Sequence, residues 1–131
     1  MRYIAVCDDD EVAIKTITRH LRSLATHGFH YEVTPYQSGR ELIEEHRNGH
    51  RFHLILLDMI MKPVNGIDVA KEIRRIDPLV PILIITSTME YAVDGYKVNA
   101  HRYLLKPIDH DELMQAAIPL LKESINREER Y

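Results

Sequence analysis

The chain has 131 residues, 45% hydrophobic and 28% charged, the composition of a single soluble globular domain with room for its own core. A formal charge of -3 and a pI of about 6.2 argue against direct nucleic-acid or anionic-lipid binding by this segment. One cysteine, Cys7, excludes an internal disulfide and fits a reducing cytoplasm; no run approaches the roughly 18 apolar residues of a membrane span, and the opening stretch is too short for a signal peptide.

"YIAVC" (3–7) has the apolar, partly β-branched pattern of a strand buried on both faces. Apolar residues then recur at Val12, Ile14, Ile17, Leu21 and Leu24, predicting an amphipathic helix that ends before Gly28. "YEVTPY" (31–36) reads as a second strand, with Pro35 placing it at a sheet edge. Ser38 and Glu41 form the pattern of a capping box for a helix through about Asn48, stopped by Gly49. "FHLILLD" (52–58) is a third strand, and Asn65-Gly66 opens a helix closed by Asp77-Pro78. "VPILIITS" (80–87) is a fourth strand, 89–98 a short helix, and "RYLL" (102–105) a fifth strand. Asp109 and Glu112 cap a last helix that Pro119 should kink rather than stop. Five alternations of strand and helix predict a three-layer α/β domain on a parallel sheet, residues 1–126, with 127–131 beginning a linker or tail.

In such a sheet ligands sit beyond the carboxyl ends of the strands. The first strand ends in Asp8-Asp9-Asp10, the third in Asp58, the fourth in Thr86-Ser87 and the fifth in Lys106-Pro107. Clustered carboxylates need a cation or a raised pKa, and hard oxygen donors suit Mg²⁺. Capping alone would explain Asp8-Asp9-Asp10; Asp58 and Lys106 at other strand ends favour a metal. Asp10 and Glu11 fit best at the start of the first helix, where the dipole favours anions. Cys7 reads as a small buried hydrophobe. The pairs His27/His30 and His50/His53 read as surface histidines rather than ligands.

The ordered set Asp8-Asp9, Asp58 with Gly66 eight residues on, Thr86, Tyr103 and Lys106-Pro107 resembles the receiver domain of bacterial two-component response regulators. "EYAVDGYKVNAHRYLLKP" (90–107) is similar to receivers attached to a LytTR-type DNA-binding domain. The resemblance implies a flavodoxin-like doubly wound (βα)5 fold with strand order 2-1-3-4-5. It implies Asp58 as phosphoacceptor from a sensor histidine kinase, in a protein that catalyses only its own phosphorylation and dephosphorylation. It further implies Mg²⁺ held by Asp9, Asp58 and the carbonyl of Ile60, with Asp8 acting through water. Lys106 and Thr86 would meet phosphoryl oxygens, and Tyr103 would be the rotameric switch. A phosphorylation-favoured homodimer through the fourth helix, fifth strand and fifth helix is expected, with Tyr91, Tyr96, His101 and Arg102 on that face.

The sequence departs from the family at Lys62, where a proline is usual, at His101-Arg102 in place of an apolar-acidic pair, and at Pro119. Three rival readings stand beside the receiver. A haloacid-dehalogenase-type phosphatase would use Asp8-x-Asp10, but the expected Thr is Val12. A flavodoxin-like nucleotide binder lacks a Gly-rich phosphate loop. A phosphorylation-independent interaction module would not need Asp9, Asp58, Thr86 and Lys106 together.

Overall fold

The structure is a computed structural model that describes residues 2–129, with side chains described to Ile125. Five strands alternate with five helices: β1 Tyr3–Cys7, α1 Glu11–Leu21, β2 Glu32–Tyr36, α2 Gly39–Arg47, β3 Leu54–Leu57, α3 Gly66–Ile76, β4 Ile82–Thr86, α4 Ala92–Lys97, β5 Arg102–Leu105 and α5 His110–Glu129. All pairings are parallel and the strand order is β2-β1-β3-β4-β5, the flavodoxin-like arrangement expected.

The strands alternate between two cores because successive side chains point to opposite faces. Ile4, Val6, Leu54, Leu56, Leu83, Ile85 and Leu104 pack with Ile14, Ile17 and Leu21 of α1 and Leu113, Ala117 and Leu121 of α5. Ala5, Cys7, Ile55, Leu57, Ile82 and Ile84 pack with Leu42 and Ile43 of α2 and Val69, Ala70 and Ile73 of α3. Residues of β3 and β4 are fully buried, and each such aliphatic side chain contributes about 1.5–3 kcal/mol of transfer free energy. The register Cys7↔Leu57 sets the next residues, Asp8 and Asp58, side by side at the carboxyl edge of adjacent strands.

Capping follows the sequence closely. Asp10 caps α1 by accepting from the Val12 N–H, Asn65 caps α3 through the Asp68 N–H, and Asp109 accepts from the Glu112 N–H at 3.0 Å. Ser38 does cap α2, through the Arg40 N–H at 3.2 Å rather than that of Glu41.

Several expectations change. The first helix tightens at Arg22–His27 into a 3₁₀ segment that ends at Gly28, whose φ of 85° is the left-handed conformation glycine tolerates. The third strand begins at Leu54, not Phe52, because pairing with β1 starts at Ile4. The fourth helix begins at Ala92: Met89 and Glu90 form a turn in which Thr88 accepts from the Glu90 N–H. Pro119 lies within α5, which continues to Glu129, so it does not stop the helix; residues 130–131 of the expected tail lie outside the described residues. His50 and His53 are half-buried, His50 stacking on Phe52 at 4.4 Å and His53 lying 5.9 Å from Tyr31. His46 is fully buried. No helix among the described residues is long and apolar enough to cross a membrane.

Candidate functional site

The acidic edge gathers what the strand ends promised. Asp8 follows β1 and is 1% exposed; Asp58 follows β3 and is 6% exposed. Asp9 is exposed, yet its carboxylate joins theirs: one oxygen from each of Asp8, Asp9 and Asp58 lies within 4.8 Å of the others. Among the described residues this is the one such grouping of three His, Cys, Asp or Glu donors.

Backbone geometry fixes each carboxylate. The Asp58 N–H donates to the Cys7 carbonyl at 3.1 Å and the Asp8 N–H to the Tyr36 carbonyl at 3.0 Å, extending the ladder by one rung into the site. Asp8 Oδ1 accepts from the Asp10 N–H at 2.9 Å, and Asp58 Oδ1 from the Ile60 N–H at 3.2 Å. Asp9 Oδ2 accepts from the Lys62 N–H at 3.3 Å. Lys62 therefore supports the site through its backbone, a role a proline could not fill and which its side-chain type gave no means to anticipate.

Lys106 enters from the end of β5, held there by its own N–H on the Thr86 carbonyl at 2.8 Å. Its Nζ lies 2.7 Å from Asp8 Oδ2 and 3.2 Å from Asp58 Oδ2. Burial alone would depress the ammonium, but the hydrogen bonds and charges of Asp8 and Asp58 outweigh it and hold its pKa above the ordinary value. Burial pushes the Asp8 carboxyl up, with the Asp58 charge adding to it, while Lys106 and the Asp10 N–H pull back. Three carboxylates face one ammonium, so the site is short of positive charge. An oxygen-only donor set with that deficit fits a hard divalent cation.

Thr86, the last residue of β4, is fully buried, and its Oγ1 has no hydrogen-bond partner. Buried hydroxyls are rarely left so, and this one stands at the same sheet edge as Asp58 and Lys106. Tyr103 on β5 is half-buried beneath α4: a Cβ on Gly95 would come within 3.3 Å of its ring, and its hydroxyl donates to the Thr88 carbonyl in the β4–α4 loop. Any turn of this ring must break that bond. Ile60 lies two residues beyond Asp58 and is 48% exposed. Asp10 does not join the cluster; its carboxylate is engaged at the α1 cap, which removes the second acid of a phosphatase-type Asp-x-Asp.

Two glycines support the site through close contacts that the sequence does not disclose. Gly66 was noted for its spacing, but its reason is contact: an added Cβ would lie 2.1 Å from the Asp58 carbonyl oxygen. Gly95, a glycine inside a helix, admits Tyr103 and Ile84 against α4. Cys7 is the small buried hydrophobe expected, its thiol pushed up to about 12 by burial first and by Asp8 next.

A family model described as response regulator receiver domain matches residues 4–118. Transcriptional regulatory protein ZraR of Escherichia coli (strain K12) is 38% identical over 107 residues, covering 80% of this chain and 23% of ZraR. The chain thus spans about a quarter of the length of that relative. The response regulator protein TrrA of Thermotoga maritima, solved in complex with Mg(2+)-BeF, is 27% identical with a TM-score of 0.79 over 92% of this chain and 99% of that one. A CheY-like receiver domain protein of Methanospirillum hungatei JF-1 shares the fold at a TM-score of 0.83, 19% identity, over 97% and 98% of the two chains. None of these names carries a LytTR-type output.

Proposed function

The chain belongs to the response regulator receiver domain family, and from that premise we propose that Asp58 accepts a phosphoryl group from a sensor histidine kinase at a Mg²⁺-dependent site. The observation that carries this reading is the convergence of the Asp8, Asp9 and Asp58 carboxylates within 4.8 Å, with Lys106 bridging two of them.

A lone pair of an Asp58 carboxylate oxygen attacks phosphorus, and the electrons of the broken P–N bond return to the kinase imidazole. The bond made is an acyl phosphate; the protein supplies position and charge. The Ile60 N–H steadies Asp58 Oδ1 and leaves Oδ2, now touching Lys106, to react. Lys106 has only to swing from Asp58 Oδ2 to a phosphoryl oxygen, keeping Asp8 as its second partner. The unpartnered Thr86 hydroxyl gains an acceptor in another phosphoryl oxygen. Asp9, Asp58 and the Ile60 carbonyl, with Asp8 through water, would hold a Mg²⁺ ion, which would supply charge neutralisation on the transferring group. The chain catalyses no other reaction in this reading.

Acetyl phosphate with Mg²⁺, followed by intact mass, tests it. One phosphoryl adduct on the parent and none on a folded Asp58→Asn variant is expected; a full adduct on that variant, mapped elsewhere, overturns it.

The output lies on the face of α4, β5 and α5. Met89, Tyr91, Val93, Tyr96 and Leu105 are exposed there, Tyr96 at 83%. Drawing Thr86 toward the phosphoryl group gives Tyr103 space to move inward, releasing the Thr88 carbonyl and reshaping that face. A homodimer favoured by phosphorylation follows, and sedimentation with beryllofluoride reads it; a monomer at high concentration with the mimic bound refutes it. ZraR is a transcriptional regulator, and we propose that this cytoplasmic domain likewise controls transcription within a longer protein. A LytTR-type output in the full reading frame would bear out the sequence expectation, and any other output module would overturn it.

A further inference from the structure

Two histidines outside the acidic site face each other where α1 meets α5. His20 lies in the last turn of α1 and His110 opens α5; their Nδ1 atoms are 2.9 Å apart and their ring centroids 5.1 Å. Both are half-buried. Ser23 Oγ lies 2.9 Å from the His20 carbonyl, 3.2 Å from Met114 Sδ and 3.4 Å from His110 Nε2. Met114 is one turn along α5 from His110 and 6% exposed. Beside them His27, Asp111 and Met114 line an open hollow of about 410 Å³.

Two imidazole nitrogens this close must have a hydrogen between them, since two lone pairs repel. The Ser23 hydroxyl donates to the His20 carbonyl, which leaves its oxygen to accept from His110 Nε2–H. His110 Nδ1 is then a lone pair, and the hydrogen belongs to His20 Nδ1. Transfer of that hydrogen to His20 Nε2 leaves both Nδ1 lone pairs free for a metal. Metal–nitrogen bonds of about 2.0–2.1 Å in a tetrahedral site set ligand nitrogens about 3.3 Å apart. The rings therefore need to separate by about 0.4 Å and to tilt, so that lone pairs now facing each other meet at the ion.

The donor types choose the ion. Imidazole accepts several transition metals, but a thioether selects Cu(I), and Met114 has the torsional freedom to swing its sulfur from Ser23, beside His110 Nε2, round to the Nδ1 side. We propose that His20, His110 and Met114 form a Cu(I) site that pins α1 to α5. It is separate from the Asp8–Asp9–Asp58 centre, whose oxygen donors suit hard ions.

The test titrates Cu(I) against bicinchoninate under reducing conditions, with excess Mg²⁺, into the parent protein and into Cys7→Ala, which silences the thiol. One equivalent withdrawn by both is expected, with at least tenfold weaker binding in His20→Asn, His110→Asn and Met114→Leu. Side-chain ¹⁵N spectra of the parent with Ag(I), a diamagnetic stand-in of the same charge, should move Nδ1 of His20 and His110. The proposal is overturned if the parent withdraws no Cu(I), if the histidine variants bind as tightly as the parent, or if Ag(I) moves other histidines instead. Unchanged binding in Met114→Leu removes the sulfur from the site and overturns the choice of Cu(I).

Discussion

Substituting Gly66 by alanine should damage the site without touching any reacting group. The new methyl would stand 2.1 Å from the Asp58 carbonyl oxygen, 2.7 Å from Met59 Cα and 2.9 Å from the Asp58 carbonyl carbon. Carbon contacts are comfortable only near 3.5–4.0 Å, so the backbone bearing Asp58 must retreat by about 1 Å. Overpacking of this kind costs about 1–3 kcal/mol, and the Gly66 N–H to Met59 carbonyl bond of 2.9 Å is strained with it, adding up to about 1 kcal/mol. Alanine's better helix propensity returns less than about 1 kcal/mol. A net loss of about 2–3 kcal/mol is expected. Gly39→Ala is the matched control: its methyl would meet the Val69 Cγ2 atom at 2.3 Å, but its other neighbours stand at 3.6 and 3.7 Å. A side chain yields more easily than a backbone, so about 1 kcal/mol should be lost there. Urea denaturation of both variants, with beryllofluoride affinity measured in parallel, reads the two effects. Only Gly66→Ala should weaken the mimic, by tenfold or more, because only it displaces Asp58. A Gly66→Ala protein within about 0.5 kcal/mol of the parent, binding beryllofluoride normally, refutes the steric reasoning.

Thr86→Val removes a buried hydroxyl that has no partner, so the unliganded protein should gain about 1 kcal/mol while beryllofluoride binding weakens; a loss of stability in urea would show that the hydroxyl is bonded after all. His46 is fully buried with both ring nitrogens unpartnered, and burial first, then Arg51, lowers its pKa. The unfolded chain, with a histidine pKa of about 6.5, then binds the proton more readily, so stability should be present above about pH 6.5 and fall as pH drops below it. His46→Leu should flatten that part of the profile, and an unchanged acid limb in thermal melts contradicts the assignment. Arg74 donates to the carbonyls of Val98, Val80, Asn99 and Asp77 at 2.8, 2.7, 3.0 and 3.3 Å, so Arg74→Leu should cost about 2–4 kcal/mol in urea, with a change under 0.5 kcal/mol counting against the clamp.

What the sequence disclosed was what local pattern controls. The β1 and β5 bounds, the caps at Asp10, Asn65 and Asp109, and the acids at strand ends all follow from neighbouring residues. The 3₁₀ turn at Arg22–His27 was hidden because Leu24 is its one buried residue, so no apolar period can be read across it. His46 falls on the same face of α2 as Leu42 and Ile43, so its burial was legible in the spacing and masked by its residue type. Arg74 bonds to carbonyls as far away as Asn99, and the Lys62 N–H to Asp9, contacts set by tertiary placement that no window on the sequence contains.

The same tertiary placement explains why the unliganded site is ready rather than relaxed. Asp8 is raised by burial, Thr86 Oγ1 is buried without a partner, and of three clustered carboxylates the ammonium touches two. Each is a cost to the resting fold, and each has the opposite need from its neighbour: the carboxylates lack positive charge, while Lys106 and Thr86 can offer hydrogens to an anion. A cation alone relieves the first and an anion alone the second. A phosphoryl group arriving with a divalent ion relieves both at once, without moving the strands that carry Asp8, Asp58, Thr86 and Lys106. In the proposed reading the remaining change falls to the β4–α4 loop, where the Tyr103 hydroxyl donates to the Thr88 carbonyl and α4 is a helix of only six residues. On that reading the buried sheet edge keeps Asp8, Asp58 and Thr86 in place, and the loop and six-residue helix beside it are the segment through which a change of charge at Asp58 would reach the exposed tyrosines.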